Sequence, residues 1–374
     1  MQPYDCQNLC EREEVIHTIR SNRTLMETMS SSNMPHKIDV HSHYLPPFYQ
    51  EALRNHGHAN PDGMPAVPEW SPETHLQLMD KLGISKSVLS ISSPGTHLVP
   101  GDNDLAAKLS RQCNSYAADL KRQMPDRFGF FASLPIPDVA TCLKEIDQAS
   151  KDGCDGFTFL TNGHGLYLGD PAFDPIFDEL NRRHATIFIH PTTPTCPCSP
   201  PPSSSSPTHP QQPTKATPLA SKYPNPMLEF FFDTARVVTN LFMSGTIKRC
   251  PHLRIILPHL GGAFPPLLSR WTGFSQLVPG PWEGVAETEV REAFQRQIYF
   301  DLAGFVFPGQ IKGLMEGVGV KAERIMYGSD FPFTKPDGVE MLLGQMDHGM
   351  REGFSAEAVE AMYHGNAERL FGMK

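Results

Sequence analysis

Two histidines one residue apart, His41 and His43, end the short run Lys37-Ile38-Asp39-Val40-His41-Ser42-His43. On a β-strand, side chains two apart share a face, so both imidazoles would be presented to one site. That is half of a cage for a divalent transition metal. With 16 histidines in 374 residues, a His-x-His pair also arises by chance, so the reading depends on partners. Three further residues have the right chemistry and each follows an apolar run: His190, His259 and Asp330. Imidazoles with a carboxylate suit a first-row divalent ion and leave room for water or substrate, which is the arrangement of a catalytic site.

Residues so far apart in the chain need a fold that brings element ends together. Strands are expected at 37–43, 87–91, 128–133, 156–160, 186–190, 254–259, 298–302 and 324–328. Helices fit at 71–82, with Ser71 as N-cap, Pro72 at the first helical position and Gly83 closing it, and at 102–124, 138–151 and 173–183. Further helices fit at 227–249, 261–274, 308–318, 337–350 and 355–371. Strands alternating with helices in this way predict the α/β class and a (β/α)8 TIM-like barrel, the alternative being an open doubly wound sheet. No Gly-x-Gly-x-x-Gly follows a strand, which argues against a dinucleotide site. In a barrel the active face lies at the carboxyl ends of the strands. His41 and His43 on strand one, His190 on five, His259 on six and Asp330 on eight all fall there.

The remaining sequence bounds the function. Residues 1–35 are polar and read as a mobile N-terminal extension with a short helix near 10–20; residues 36–374 form the barrel. A Pro/Gly-rich excursion runs from Tyr44 to Trp70 after strand one, and a Pro/Ser-rich stretch at about 192–226 reads as a disordered loop insertion beside the active face. A net charge of −9 argues against a nucleic-acid partner, and 39% hydrophobic residues suffice for a large core. No apolar run reaches the roughly 18 residues of a membrane span, and the N-terminus has no secretory signal pattern. The eight cysteines are scattered, with Cys196 and Cys198 the one close pair. A reduced, cytosolic setting is expected.

Four runs carry a resemblance: Ile38-Asp39-Val40-His41-Ser42-His43-Tyr44-Leu45-Pro46, Phe188-Ile189-His190-Pro191, Leu257-Pro258-His259-Leu260-Gly261-Gly262 and Tyr327-Gly328-Ser329-Asp330-Phe331-Pro332. Together they resemble the amidohydrolase superfamily, and within it the metal-dependent decarboxylases related to aminocarboxymuconate semialdehyde decarboxylase. Glu229-Phe230-Phe231-Phe232-Asp233-Thr234-Ala235-Arg236 and Trp70-Ser71-Pro72-Glu73 are similar to the fungal 6-methylsalicylate decarboxylases. The resemblance runs from about residue 36 to Phe371. It implies non-oxidative decarboxylation of a small aromatic acid, 6-methylsalicylate to m-cresol, in fungal polyketide metabolism. It also implies that His41, His43, His190 and Asp330 ligate one divalent ion and that His259 is catalytic. Many binuclear relatives bridge two ions through a carbamylated lysine on strand four; the run Gly156-Phe157-Thr158-Phe159-Leu160 contains no lysine, in keeping with one ion. The loop after strand two, Ser92 to His97, lacks an arginine that some relatives use to hold a carboxylate, leaving His97 as the substitute. In relatives an arginine at the position of Arg270 enters the neighbouring subunit's site to bind substrate, which implies a homodimer with shared active sites.

The implied chemistry sets requirements on these residues. Loss of carbon dioxide leaves negative charge on a ring carbon, so that carbon must be protonated before or as the carboxylate departs. The ion is expected to chelate the carboxylate and the neighbouring phenolic oxygen as a Lewis acid. Asp330 or a water on the ion supplies the proton, with His259 orienting the donor or sharing the proton at a pKa near neutrality. Phe333 and Phe305 are expected to flank the substrate ring. An imidazole-dominated set favours zinc, then manganese. The alternative is hydrolysis of a lactone or cyclic amide by an ion-activated water on the same scaffold.

Overall fold

The computed structural model describes residues 36–196, 214–220 and 222–373. Its central sheet has eight strands in sequence order: β1 Lys37–His43, β2 Ile84–Ser90, β3 Phe128–Ser133, β4 Gly156–Leu160, β5 Thr186–His190, β6 Arg254–Leu257, β7 Ile298–Asp301 and β8 Ile325–Met326. Neighbours pair in parallel throughout. The residue after β8 returns to β1, where the Val40 N–H donates to Tyr327 O at 3.0 Å. This is the (β/α)8 barrel that the alternation of elements predicts.

Helices α1 Pro47–Asn55, α2 Pro72–Leu82, α3 Asn103–Gln123, α4 Val139–Lys151, α5 Asp174–Arg182, α6 Glu229–Met243, α7 Leu268–Leu277, α8 Glu287–Arg296, α9 Pro336–Gly353 and α10 Asn366–Phe371 accompany the strands. The start of α2 is a reciprocal cap: Ser71 Oγ accepts from Thr74 N–H at 3.2 Å, while Ser71 N–H donates to Thr74 Oγ1 at 3.1 Å. Gly83 ends it at φ 68°, a conformation that costs a residue with a Cβ. Two helices are unexpected. The turn residues of the 44–70 excursion mask α1, which buries only Tyr49 and Leu53, and α8 is half charged, with only Val290, Ala293 and Phe294 buried. Gly245, at φ 77°, splits the helix expected over 227–249.

The lumen is filled by Ile38 and Val40 of β1, Val88, Phe131, Phe188, Ile256 and Met326, and Ala367 and Leu370 of α10 close its amino-terminal end. A register shift between Asp39 and Ser42 lets two successive residues serve this interior. Val40 packs in the lumen, and the His41 ring lies 4.9 Å from that of Phe188. A bulge re-aims side chains in this way, so the His-x-His pair faces the site although Val40 precedes it directly.

The extension 1–35, its 10–20 helix and residues 197–213 and 221 of the expected insertion lie outside the described residues. Beside them, Thr195–Cys196 pairs with Thr214–Lys215. Asn225 Nδ2 donates to Thr193 Oγ1 at 2.7 Å, and that hydroxyl donates to Asp62. Cys196 is disulfide-bonded, unlike the wholly reduced set expected, while Cys113, Cys142, Cys154 and Cys250 are free. No helix among the described residues is long and apolar enough to cross a membrane.

His75 of α2 shows how tightly the wall is packed. Its Nδ1 accepts from Trp70 Nε1 at 3.0 Å and its Nε2 faces Ser87 Oγ at 3.2 Å. The indole can only donate, so the imidazole is neutral with its proton on Nε2. Burial, reinforced by His43, lowers its pKa from 6.5 to about 3. A folded value below the unfolded one means stability that is present above pH about 6.5 and is lost as pH falls toward 3. Between pH 7 and pH 5 this residue is predicted to remove about 2 kcal/mol. Urea unfolding should show that loss in the wild type and a shallower one in His75→Gln, which keeps an acceptor and a donor; equal slopes would contradict it.

Candidate metal centre

At the carboxyl ends of the strands, His41, His43, His190 and Asp330 each offer a ligand atom, and these atoms lie within 4.8 Å of one another. His41 and His43 end β1 and His190 ends β5, whereas Asp330 follows β8 on a backbone pinned to β1. The Asp330 N–H donates to His41 O at 2.8 Å and the Ser329 N–H to the same oxygen at 3.2 Å. Gly328 permits this approach, because a Cβ there would stand 2.8 Å from His41 Cβ.

Each ligand ring has its outer nitrogen occupied. His41 Nδ1 lies 2.9 Å from Asp301 Oδ2, His43 Nδ1 3.0 Å from Ser90 Oγ, and His190 Nδ1 2.7 Å from Pro191 O. These contacts direct the three Nε2 atoms inward, toward one another. His41 Nε2 is buried and has no hydrogen-bond partner. It lies 3.5 Å from Asp330 Oδ1, and His43 Nε2 lies 3.2 Å from the same oxygen. Ligands about 2.0–2.2 Å from a tetrahedral ion stand roughly 3.3 Å apart, so the spacing fits a single divalent ion. β4, which pairs with the His190 strand, carries no lysine to bridge a second ion.

The electrostatics also call for a cation. Burial opposes charge on His41, yet Asp301 and Asp330 overcome it and raise its pKa to about 10. Burial likewise resists ionisation of Asp330, but the imidazoles of His41 and His43 beside it hold it well below the usual carboxylate range. His43 and His190 are pushed down by burial. Two carboxylates facing buried imidazoles form a pocket that a positive ion neutralises.

His259 sits beside this set, its ring 5.0 Å from that of His41. The turn carrying it is strained, with His259 at φ 51° and Leu260 at φ 52°, and Asp330 adopts φ 58° across the site. Gly262 lets the turn meet α6, since a Cβ there would lie 2.7 Å from Phe231 O. The ring of Phe231 thereby comes 5.6 Å from that of His259. Burial, then His41, lowers the His259 pKa to about 4, below the near-neutral value expected from its residue type. At neutral pH it is an uncharged imidazole.

The other expected residues divide. Phe333 packs edge-on against His43 at 5.6 Å, whereas Phe305 is 70% exposed. Arg270 is exposed on α7 with its guanidinium 4.2 Å above the Phe274 ring, and it lines a surface cavity of about 1050 Å³ with Arg236, Trp271 and Trp282. His97 is engaged by His164 at 2.9 Å and Asn103 at 3.0 Å. Two buried acids are missing from the sequence reading. Asp301 holds His41 and also accepts from His259 N–H at 3.0 Å. Asp39 accepts from His41 and Ser329 N–H groups, both at 3.1 Å. The available signal was position: an acid closing the apolar strand Ile298–Asp301 at the active face.

Comparison with known proteins places these residues in context. A family model described as Amidohydrolase matches residues 38–287 and 316–373. The decarboxylase yanB of Aspergillus niger is 35% identical over 347 residues, covering 90% of this chain and 87% of that protein. A 6-methylsalicylic acid decarboxylase of Penicillium expansum is 35% identical over 307 residues, covering 81% and 87%. The crystal structure of a Polaromonas dihydroxybenzoic acid decarboxylase, with bound manganese and the inhibitor 2-nitroresorcinol, superposes with a TM-score of 0.71 at 20% identity, covering 91% of this chain and 98% of that one.

The geometry predicts separable roles. His190→Ala should lose both the ion and turnover. His259→Asn should keep the ion, by elemental analysis, and lose most of the turnover. Asp301→Asn should weaken metal affinity by about 10–100-fold, because it loosens the His41 ring. Loss of the ion from His259→Asn would show that this residue is a ligand.

Proposed function

The chain belongs to the amidohydrolase family and is a carboxy-lyase within it, and on that premise we propose that it decarboxylates 6-methylsalicylate to m-cresol without an oxidant. The observation that carries the reading is a donor set for one ion, with an acid and a neutral imidazole beside it and aromatic rings around it. The absence of a lysine from β4 supports one ion rather than two. The relatives at 35% identity are named as decarboxylases, one of them for this substrate.

A divalent ion held by His41, His43, His190 and Asp330 supplies Lewis-acid chemistry to the substrate oxygens when bound. Three imidazoles and a carboxylate suit zinc, and manganese, the ion of the Polaromonas structure, is the other candidate. The chain's own residues manage the proton. Asp330 is the ligand most open to solvent, at 22% of its side chain against 0% for His41 and His43. In this reading it relays a proton from solvent to the ring carbon that bears the carboxylate, and the imidazoles that hold its pKa down make it an acid that gives the proton up readily. The ring–carboxylate bond then breaks, its electron pair restores the aromatic ring, and carbon dioxide leaves. His259, being neutral, positions the substrate by a hydrogen bond and carries no spare proton. Phe333 and Phe231 give the ring an apolar surface and keep bulk water away from the developing charge.

The carboxylate also needs a cationic partner, and Arg270 serves in this reading as a residue lent to the neighbouring subunit of a homodimer. Its support is an exposed arginine among Phe274, Leu267, Leu277 and Trp282, all of which are exposed apolar groups on the same face.

Incubation of metal-loaded protein with 6-methylsalicylate should yield m-cresol and carbon dioxide in equal amounts. Turnover of lactones or cyclic amides with no decarboxylation would instead establish a hydrolase. Mixing inactive Arg270→Ala and inactive His190→Ala subunits should restore part of the activity. Mixtures that exchange subunits and stay inactive would exclude a shared site.

A further inference from the structure

Away from the metal centre, at the opposite end of the barrel, a second set of donors converges. His36 directly precedes β1, and His364 and Glu368 lie four residues apart across the junction of the wide turn Ala361–Gly365 with α10. One nitrogen from each histidine and one Glu368 oxygen lie within 4.8 Å of one another. His364 Nδ1 is 3.0 Å from Glu368 Oε1, and His36 Nε2 is 3.5 Å from the same oxygen. The two rings meet edge to face with centroids 4.7 Å apart. We propose that His36, His364 and Glu368 form a second site for a divalent transition metal, of the zinc, nickel or copper class, that fastens the first strand of the barrel to its last helix.

Three features favour an ion over a simple ion pair. First, the separations of 3.0 and 3.5 Å bracket the roughly 3.3 Å expected between ligands of one tetrahedral zinc. Second, another carboxylate stands nearby and adds to the negative potential that draws a cation, with Glu360 Oε1 3.7 Å from His364 Nε2. Third, His364 and Glu368 stand four residues apart, the spacing that sets two side chains side by side on one helical face. The ligand side chains are 48%, 18% and 37% exposed for His36, His364 and Glu368, so an ion can enter and water can complete its shell. Two imidazoles with one carboxylate select late first-row metals over magnesium or calcium.

The consequence is mechanical. Ala367 and Leu370, one turn from these ligands, plug the lumen against Ile38 and Val40. An ion joining residue 36 to α10 therefore holds the plug in the barrel, and it binds only the folded chain.

The test uses metal-loaded enzyme titrated with zinc. Calorimetry and elemental analysis after desalting should find two equivalents per chain, the second the weaker, and the second should raise the thermal unfolding midpoint by a few degrees. His364→Ala and Glu368→Gln should each abolish the second equivalent and the rise while the first equivalent and turnover persist. His36→Gln, a substitution at an exposed position, provides the same readout if either helix variant fails to fold. A stoichiometry that stays at one, or a second equivalent that survives all three substitutions, would overturn the assignment.

Discussion

An imidazole can give its lone pair to an ion only when the proton on its other nitrogen has an acceptor, and the architecture around the first metal centre follows from supplying three such acceptors. Ser90 at the end of β2 serves His43, the carbonyl of Pro191 serves His190, and Asp301 at the end of β7 serves His41. The Asp301 contact is the most demanding, because it joins residues 260 positions apart on strands that the barrel sets near one another. The same carboxylate accepts from the backbone N–H groups of His259 and Ala303. One side chain thus orients a ligand ring, fixes the His259 turn and shapes its own loop. Burying it without these partners would cost several kcal/mol, so each contact makes the others necessary.

Aromatic and apolar packing then sets what the centre can do. Phe333, Phe230 and Phe231 lie against His43, His190 and His259 in turn. Such a rim lowers the local dielectric and strengthens every charge interaction inside it. It also explains why His259 is neutral: a buried imidazole next to a protonated or ion-bound neighbour cannot hold a second charge. Environment separates a partly exposed Asp330 from a buried, neutral His259, which residue type alone would not distinguish.

Much of this was legible before any coordinates. β3, β4 and β5 begin and end where hydrophobic runs predict, because parallel barrel strands are buried on both faces and read as continuous apolar blocks. The strand ends carried the chemistry, so His41, His43, His190, His259 and Asp330 could be grouped from the barrel rule alone. Asp301 could not be found that way, because an acid at a strand end is equally a turn residue until its distant partner is known. The neutral state of His259 and the bulge between Asp39 and Ser42 depend on burial and register, which local patterns do not encode. α8 escaped notice because a charged helix with three buried residues has little apolar periodicity. Arg270 shows the converse: its residue type suggests anion binding, but a single chain leaves it stacked on Phe274 at the surface.

The backbone bonds from Ser329 and Asp330 to His41 O bear on how the protein is made. The fourth ligand enters with the final strand, 287 positions after His43. A chain emerging from the ribosome therefore exposes its His-x-His pair long before the carboxylate that completes the set exists as a neighbour. Until β8 closes the ring, the nascent chain holds only a loose two- or three-nitrogen site with no carboxylate to neutralise the ion's charge. Metal capture is thereby placed after barrel closure, and a truncated product that stops short of β8 would compete poorly for the cell's metal supply.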